Sequence, residues 1–513
     1  MSAFLPALDF VTLVSLVCAF VVLGVSVALY QDASNSLNRF PGPYLARWTG
    51  YYQAYFDIVK DGGWLDHLQE LHRKYAIKVR SSVLARMKYL HFSDPLAYGD
   101  IYSNPKSMKD PKAYGAFLQP LATLVQTDSR EVSARKPLIS PFFSRQAVLN
   151  NLQETITFTV DKLLHQLTAN HSTGKIPANL NLAYRSTAFD IISTYCFAKS
   201  PDIVSSPAFQ SETLVGLDTS LSSVKFTTHS RIIRTLASHM PDWLGTKLGL
   251  KAVLDQTKDI VAMVDETLRT SEDADSDHRT IFSSILEGVR NGEYASRRES
   301  QTITRAWLID EGVVLRFAGS DTTSNACTIG TRCLLADPRM LEKLMKELDE
   351  AWPDKNTPVK LEILERLPYL TAVIKESLRL SHGTVSPMKR VIGAGGAKIA
   401  GLYVPEGTSV AMGNTFVHLS PQVFPEPTRF YPERWLESNS GVLEKYLVAF
   451  GKGPRSCLGV NLAWCEMYVI LGSIFRKLDL KPTVDVSSPW KFKEYFLPVY
   501  EENILHVTVR ERP

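Results

Sequence analysis

The sequence has few cysteines and no large excess of charge of either sign. Its 6 cysteines are scattered along 513 residues without any Cys-x-x-Cys spacing, so it predicts neither a disulfide framework nor a zinc site. A reducing compartment fits this cysteine content. The net charge is only +4 at pH 7, and no basic run is interleaved with aromatic residues, which argues against a nucleic-acid ligand. No change in composition divides the chain into separate domains.

One stretch is apolar for long enough to cross a membrane. Residues 10–30 carry no charge, and about 20 apolar residues span a bilayer as a helix. A cleaved signal peptide is the competing interpretation, but it would have a basic start and a shorter apolar core. Arg39 and Arg47 follow the run and no Lys or Arg precedes it, so the body of the protein is expected in the cytosol. The expected order is a short lumenal N-terminus (1–9), a transmembrane anchor (10–30), a linker with a Pro/Gly hinge (31–48) and one large domain (49–513).

A single cysteine stands in a glycine-rich loop before a long apolar stretch. The loop reads Phe450-Gly-Lys-Gly-Pro-Arg-Ser-Cys457-Leu-Gly459, and its glycines and proline exclude regular structure before the cysteine. Residues 458–471 predict a helix, whose N-terminus would favour a thiolate at Cys457. Such a thiolate suits axial ligation of a haem iron. The alternative is that Cys457 is simply a small buried hydrophobic residue.

Five positions of this loop carry a resemblance to a known family. Phe450, Gly453, Arg455, Cys457 and Gly459 form the pattern F-x-x-G-x-R-x-C-x-G, and with it the sequence resembles the cytochrome P450 family over essentially residues 40–510. The resemblance implies a mainly α-helical fold: a single haem domain with small β-sheets, preceded here by one N-terminal transmembrane helix. It also implies that Cys457 is the axial ligand of the haem b iron and that the other four residues shape the haem-binding loop.

A second motif lies in a long predicted helix. Residues 301–336 lack proline and show helical apolar spacing, which predicts a helix of ~35 residues, or ~50 Å at 1.5 Å per residue. Within it, Ala318-Gly-Ser-Asp-Thr-Thr323 resembles the family's A-G-x-D-T-T motif. The resemblance implies that Gly319 makes room for dioxygen, Thr322 hydrogen-bonds it and Asp321 relays protons. The competing interpretation is that a threonine bonds back to a backbone carbonyl and bends the helix.

Two further motifs predict a structural ion cluster. Glu376-Ser-Leu-Arg379 and Pro432-Glu-Arg434-Trp435 resemble the family's E-x-x-R and P-E-R-[WF] elements. The resemblance implies that Glu376, Arg379 and Arg434 form a buried triad that supports the haem site without taking part in the chemistry. By itself, an acid and a base three residues apart on a helix could be an ordinary surface pair.

Haem propionates need cationic partners, and the sequence offers three candidates. Arg390 aligns with the family's propionate-binding arginine on the strand after the E-x-x-R helix. Residues 130–144 resemble the helix that supplies the other contacts, but Val132 and Lys136 stand where the family commonly has Trp or His and Arg. Lys136 or Arg135 could bind a carboxylate instead. A solvated basic helix face is the alternative.

The resemblance also places a substrate pocket. Its expected lining residues lie on the long helix, after the E-x-x-R helix and near the C-terminus: Phe317, Val385, Met388, Phe496 and Leu497. A plain apolar core is the alternative for the last two.

The implied activity is a haem-thiolate monooxygenase that uses dioxygen and electrons from NADPH. The resemblance includes no flavin or ferredoxin-like module, so we expect NADPH-cytochrome P450 reductase as a separate electron donor and cytochrome b5 as a candidate second partner. A basic face beside the cysteine, made of Lys445, Lys452, Arg130, Arg135 and Lys136, would suit an acidic partner. The expected location is the endoplasmic reticulum membrane, single-pass, with the catalytic domain in the cytosol.

Several strings narrow the resemblance to fungal microsomal members of secondary metabolism. FPGP, SHG and FPEP-x-x-F-x-PERW occur in such members, so we expect a lipophilic substrate, a terpenoid or polyketide intermediate. Two alternatives remain. A haem-thiolate isomerase or dehydratase would need no external electrons, and Asp321 with Thr322 argues against it. A non-catalytic, membrane-anchored haem-binding protein would keep the fold but need no reductase.

Overall fold

The structure is a computed structural model that describes residues 40–75, 79–80, 89–172, 175–270, 280–293, 303–500 and 504–513, with scattered positions before residue 40. The predicted membrane anchor at residues 10–30 lies largely outside these residues. Among the helices of the described ranges, none combines the length and the apolar character that a membrane crossing requires.

Helices make up most of the described chain. They are α1 (Tyr44–Trp48), α2 (Tyr51–Ala54), α3 (Trp64–Tyr75), α4 (Leu96–Tyr102), α5 (Pro111–Tyr114), α6 (Ser129–Ile139), α7 (Arg145–Asn151), α8 (Gln153–His171), α9 (Leu180–Phe197), α10 (Glu212–His229), α11 (Arg231–Ser238), α12 (Asp242–Lys247), α13 (Lys251–Thr270), α14 (Ile281–Arg290), α15 (Arg305–Ala336), α16 (Pro338–Ala351), α17 (Leu361–Leu364), α18 (Pro368–Ser381), α19 (Asn414–His418), α20 (Ser440–Glu444) and α21 (Val460–Lys477). Short turns of tighter helix, including Gly453–Arg455, connect several of them.

The strands are short and form small sheets. They are β1 (Val79–Arg80), β2 (Tyr89–Phe92), β3 (Ser107–Lys109), β4 (Ala178–Asn179), β5 (Arg390–Ile392), β6 (Ala397–Ile399), β7 (Leu402–Val404), β8 (Ser409–Ala411), β9 (Leu478–Pro482), β10 (Phe492–Tyr495), β11 (Leu497–Tyr500) and β12 (His506–Glu511). One sheet has the order β1-β2-β8-β5-β3 and another β4-β12-β9, while β6-β7 and β10-β11 are hairpins. The expected fold, mainly helical with small sheets, is confirmed.

The long helix α15 runs through the middle of the domain. It has 32 residues, which corresponds to ~48 Å at 1.5 Å per residue. The sequence predicted its start at residue 301, but the helix begins at Arg305 because Thr304 caps it: the Thr304 side chain accepts a hydrogen bond from the Trp307 N–H at 3.1 Å. It ends at Ala336, where Asp337 caps α16 and Pro338 takes the first helical position.

The main hydrophobic core surrounds this helix. Buried residues of α8, α9, α18 and α21 pack with those of α15 in one cluster. Helix α21 begins at Val460 and continues to Lys477, beyond the predicted 458–471, because its last turns remain buried, as at Ile474 and Phe475. A second cluster lies under the five-stranded sheet and includes Leu90, Phe92 and Val410. The cysteine loop precedes α21 and so lies beside the main core.

Candidate active site

The cysteine loop is held in place by its own backbone. The Cys457 N–H donates to the Phe450 carbonyl at 2.8 Å, and the Ser456 N–H donates to the Gly453 carbonyl at 3.0 Å. Gly453 has a φ of +73°, and a Cβ added there would lie 2.3 Å from the Tyr102 carbonyl oxygen. The loop therefore sits directly against the end of α4, and glycine is required at position 453.

Cys457 faces a large internal space, which we call the central cavity. The cavity has a volume of about 240 Å³, and it accounts for the exposure of the Cys457 side chain. Although the Cys457 side chain borders the cavity, desolvation by the surrounding protein raises the pKa of its thiol, while the Gly459 backbone N–H acts in the opposite direction. The helix N-terminus was expected to favour a thiolate, but α21 begins only at Val460 and burial has the larger effect. A coordinated metal ion would hold the thiolate.

Most of the sequence-predicted site residues line the central cavity. These are Lys136, Phe317, Gly319, Thr322, Met388, Arg390, Phe450, Arg455, Cys457, Gly459, Phe496 and Leu497. The loop before α21 and the A-G-x-D-T-T segment of α15 therefore face one common space, although they are far apart in the sequence.

Apart from the three residues of the predicted ion triad, four of the predicted residues do not line the cavity. Val385, expected in the substrate pocket, is fully buried, and its N–H donates to the Phe496 carbonyl at 3.0 Å. Arg135, a candidate propionate partner, donates instead to the Leu121 carbonyl at 2.7 Å. Gly453 packs against α4. Asp321 points away from the cavity towards α9.

Asp321 belongs to a chain of ion pairs that leads outward. Its Oδ1 lies 2.5 Å from Nε of the buried Arg185 on α9. Nη1 of Arg185 in turn lies 2.8 Å from Oδ1 of Asp218 on α10, whose side chain is 51% exposed. The carboxylate in the long helix is thus linked to an acid at the protein surface through one guanidinium group.

The neighbouring residues of α15 have structural roles of their own. The Thr322 hydroxyl donates to the Ala318 carbonyl at 3.1 Å, so the backbone bond named as the competing interpretation does exist, while Thr322 also lines the cavity. A Cβ on Gly319 would lie 2.9 Å from Cγ1 of Ile192. Gly319 therefore allows α9 to approach α15, besides opening onto the cavity.

Four cations converge on the central cavity. Lys109 and Arg390 stand directly opposite each other on the antiparallel strands β3 and β5, and Lys136 and Arg455 also line the cavity. Their hydrogen-bond partners among the described residues are neutral oxygens: carbonyls of Leu124, Pro454, Thr123 and Lys389 and the hydroxyl of Tyr114. Burial and the Arg390 charge lower the pKa of Arg455 to about 10. Like charges opposite each other on a sheet are unfavourable, so the site fits an anionic group.

The donor set fits haem. A cysteine thiolate is an axial ligand that haem iron accepts, and the cluster of Lys109, Lys136, Arg390 and Arg455 offers partners for two propionate groups. The place of the expected Trp or His is taken by Val132, which lines the cavity as an apolar residue. Lys136 lies next to the cysteine loop, since its Nζ donates to the Pro454 carbonyl at 3.0 Å.

Several residues of this site were not predicted from the sequence. Lys109 and Tyr114 lie in an irregular region whose pattern gives no signal. Glu311 lines the cavity on α15 and is 1% exposed. An acidic residue within an otherwise apolar helix is a sequence feature from which this position could have been predicted. The same holds for Glu466 on α21, which is fully buried and lines the cavity.

The predicted ion triad is present in the geometry. Glu376 and Arg379 are fully buried and Arg434 is 4% exposed. Arg379 donates to both carboxylate oxygens of Glu376 at 2.7 and 2.9 Å, and Nε of Arg434 donates to one of them at 3.0 Å. The Tyr431 N–H and the Trp435 indole N–H each donate to this carboxylate at 2.9 Å. The cluster joins α18 to the turn at Pro432–Trp435.

Comparison with known proteins identifies the family. The family model described as Cytochrome P450 matches residues 61–503. The chain is 32% identical to cytochrome P450 monooxygenase flvC of Aspergillus flavus, over 96% of this chain and 95% of the relative. It is 31% identical to cytochrome P450 monooxygenase tpcC of Cochliobolus heterostrophus, over 91% and 88%, and 30% identical to tryptophan 6-hydroxylase fscE of Fusarium equiseti, over 91% and 90%. This chain therefore belongs to the cytochrome P450 family, and it is a P450 monooxygenase.

Proposed function

We propose that this protein is a membrane-anchored monooxygenase that oxidises a lipophilic secondary metabolite with dioxygen and with electrons that NADPH supplies through a separate reductase. The observation that carries the proposal is the central cavity itself. Cys457 lines it together with Gly319 and Thr322 of α15 and with four cations.

In this proposal Cys457 holds the haem iron, and Lys136, Arg390 and Arg455, with Lys109, hold the propionates. When bound, haem supplies the redox-active iron that activates dioxygen. Glu376, Arg379 and Arg434 act as scaffold, because the Glu376 carboxylate accepts hydrogen bonds from both arginines and none of the three residues is among those that line the central cavity.

Asp321 and Thr322 are the residues that transfer protons between solvent and the active site. The Thr322 hydroxyl donates its proton to the Ala318 carbonyl, which leaves its oxygen able to accept one from a neighbouring donor. Asp321 is linked through Arg185 to the half-exposed Asp218, and this chain gives the interior of α15 a polar connection to solvent. In this proposal the Thr322 hydroxyl is the group that faces the cavity, and Asp321, which turns towards Arg185, is the inner end of the proton path.

The substrate is a lipophilic secondary metabolite, a terpenoid or polyketide intermediate. Apolar side chains dominate the wall of the cavity away from the cations, among them Val314, Leu315, Phe317, Phe496 and Leu497. Such a wall selects for apolar surface and excludes water.

Electrons arrive from NADPH-cytochrome P450 reductase at the basic face beside the cysteine loop, with cytochrome b5 as a second candidate donor. Lys445 and Arg130 are exposed there. Arg135 does not take part as first expected, because it is buried. Opposite charge across such an interface guides association more than it adds affinity.

The protein is anchored in the endoplasmic reticulum membrane by residues 10–30, with the catalytic domain in the cytosol. Exposed apolar side chains support contact between the domain and a membrane: Tyr44, Leu45 and Tyr51 near the N-terminus, and Ile232, Leu236 and Trp243 on α11 and α12. Such side chains prefer the interface of a bilayer to water.

The test is reconstitution of the full-length protein with reductase, NADPH and a library of terpenoid and polyketide intermediates under isotopically labelled dioxygen. The proposal predicts a product that carries one labelled oxygen atom and forms only with both reductase and NADPH. Thr322→Val should lower the amount of product formed per NADPH oxidised, and Thr322→Ser should restore it. A product formed without NADPH would instead favour the isomerase or dehydratase alternative.

A further inference from the structure

A second cavity adjoins the central cavity, and we call it the side pocket. It has a volume of about 90 Å³ and shares the lining residues Tyr114, Met388 and Phe496 with the central cavity. Phe117 and Phe496 stand edge to face at its inner end, with ring centroids 4.8 Å apart. The Phe496 side chain, which lines both spaces, therefore lies where the side pocket meets the central cavity.

Three buried polar atoms on the wall of the side pocket have no hydrogen-bond partner among the described residues. They are Nε1 of Trp64, the hydroxyl of Tyr89 and Oε2 of Glu494. Trp64 and Tyr89 are each 1% exposed and Glu494 is 8% exposed. Buried polar atoms are almost always paired, so three of them on one wall indicate that a ligand or water supplies their bonds.

These three atoms differ from other buried polar atoms without a described partner because their residues line the same pocket. Trp307 and Tyr500 also bury a polar atom without a described partner, but neither lines the side pocket or the central cavity. In the side pocket an indole N–H, a phenol and a carboxyl come from three separate elements, α3, β2 and β10. Three elements of the fold therefore each contribute one unpaired polar atom to the lining of one pocket.

The wall that carries these atoms is held rigidly. The Asp61 carboxylate accepts hydrogen bonds from Lys493 at 2.5 Å and Lys225 at 2.5 Å, and also from the Tyr495 hydroxyl. These contacts fix hairpin β10-β11, and with it Glu494, between the turn after α2 and helix α10. A rigid wall holds its polar groups in place before a ligand arrives.

Two of the charged groups that line the side pocket have ion-pair partners: Asp57 lies 2.6 Å from His229, and Lys225 lies 2.5 Å from Asp61. Lys389 has only neutral contacts among the described residues, since it donates to Oε1 of Gln53 at 3.0 Å and lies 4.5 Å from the centroid of the Tyr89 ring. Burial lowers the pKa of Lys389, which makes it a weak counter-charge for an anionic ligand. Burial, and next the Asp57 charge, raise the pKa of Glu494 to about 8, so near neutral pH its carboxyl can donate as well as accept and is a weak counter-charge for a cationic ligand.

We propose that the side pocket binds the oxygen-bearing end of the substrate, and that the substrate is a neutral, already oxygenated compound with hydroxyl or carbonyl groups. The Trp64 N–H and the Tyr89 O–H donate to its oxygen atoms, and Glu494 bonds to a hydroxyl group. The apolar remainder of the molecule extends past Phe496 towards the central cavity. This inference rests on the proposed monooxygenase function and narrows its substrate class. An earlier oxidation or oxygen-incorporating step must then supply the substrate.

The test measures binding without turnover. Full-length, haem-loaded protein is examined by equilibrium dialysis against trans-decalin, its monoketone and its diol, with the corresponding carboxylic acid and amine as charged probes. The variants are Tyr89→Phe and Trp64→Phe. Tyr500→Phe and Trp307→Phe are matched controls, because they remove the same groups from sites outside both cavities. The readout is the affinity for each oxygenated probe relative to trans-decalin, so that partitioning into detergent cancels between variants.

The proposal predicts that the wild type prefers the ketone and the diol to trans-decalin. This preference should fall by about fivefold or more in each pocket variant, because a ligand oxygen loses its donor, and it should stay unchanged in both controls. A wild type without the preference, a preference that survives both pocket variants, or tighter binding of either charged probe would overturn the inference. Failure of the proposed function shows separately, as absence of a thiolate-type haem spectrum or of NADPH-dependent product.

Discussion

Glu376 accepts five hydrogen bonds in a fully buried position, and its single charge is shared by two arginines. Replacing it by glutamine keeps the shape but leaves Arg379 and Arg434 without a buried counter-charge. We predict that Glu376→Gln lowers the free energy of unfolding by ~3–5 kcal/mol, with loss of bound haem. Chemical denaturation followed by far-ultraviolet circular dichroism measures this, and the haem absorbance per protein gives the occupancy.

The matched control is a surface pair with the same sequence spacing. Arg429 and Glu426 lie 2.8 Å apart, with side chains 55% and 69% exposed. Exposed pairs of this kind contribute ~0–1 kcal/mol, so Glu426→Gln should change stability little. Equal effects of the two substitutions would contradict the role given to the buried cluster.

A substitution at Gly453 tests how the cysteine loop packs against the end of α4. An alanine there would need an unfavourable positive φ and would place its Cβ against the Tyr102 carbonyl. We predict that Gly453→Ala costs at least ~1–3 kcal/mol and displaces the loop, so that haem incorporation falls. Gly441→Ala is the control, because a Cβ at position 441 has no heavy atom within 4 Å. Normal haem content in Gly453→Ala would contradict this account of the loop.

Two neighbouring acidic residues of α15 also hold the loop between α5 and α6, which contains Leu121 and Thr123. Oδ2 of Asp310 accepts from the Leu121 N–H at 2.9 Å, and Oε2 of Glu311 accepts from the Thr123 N–H at 2.7 Å. Burial raises the pKa of Glu311 from 4.5 to about 7, against the opposing effects of Thr123 and Arg135. Helix α15 and this loop are therefore joined by the Glu311 carboxyl group, which binds its proton more tightly in the folded state than in the unfolded state.

This attachment makes stability depend on pH. Between pH 4.5 and about 7 the folded state binds the Glu311 proton more strongly than the unfolded state does, so the free energy of unfolding falls as pH rises through that window. Glu311→Gln removes this contribution. We predict that the variant gains stability relative to wild type on going from about pH 5 to about pH 8, as thermal denaturation would show. The exposed Glu342→Gln controls for the loss of one carboxyl group, and an identical pH dependence of wild type and Glu311→Gln would contradict the prediction.

At the scale of elements, the sequence predicted the two helices that frame the site but not their ends. The apolar spacing of α15 indicated its length, and the side-chain bond of Thr304 then decided where it starts. Helix α21 continued beyond residue 471 because tertiary burial extends it. The short strands β3 and β5 bring Lys109 beside Arg390, and a strand of 3 residues is too short to show a periodicity that would reveal this pairing.

For the molecule as a whole, the sequence motifs predicted which residues line the active site, but they did not predict contacts between residues that are far apart in the chain. The five-residue pattern around Cys457 predicted the residue that faces the cavity. It could not indicate that Asp321 turns away towards Arg185, or that Val385 lies behind the cavity wall, because both depend on how α9 and the β10-β11 hairpin pack. The polar wall of the side pocket likewise forms only when α3, β2 and β10 come together.

Ligation of haem iron by the Cys457 thiolate can be tested by the carbon monoxide difference spectrum of the dithionite-reduced, full-length protein. We predict a strongly red-shifted Soret band in wild type, its loss in Cys457→Ala, and its retention in Cys465→Ala, which replaces a buried cysteine on the following helix. Absence of the band in well-folded wild-type protein, or its persistence in Cys457→Ala, would show that Cys457 does not ligate haem iron.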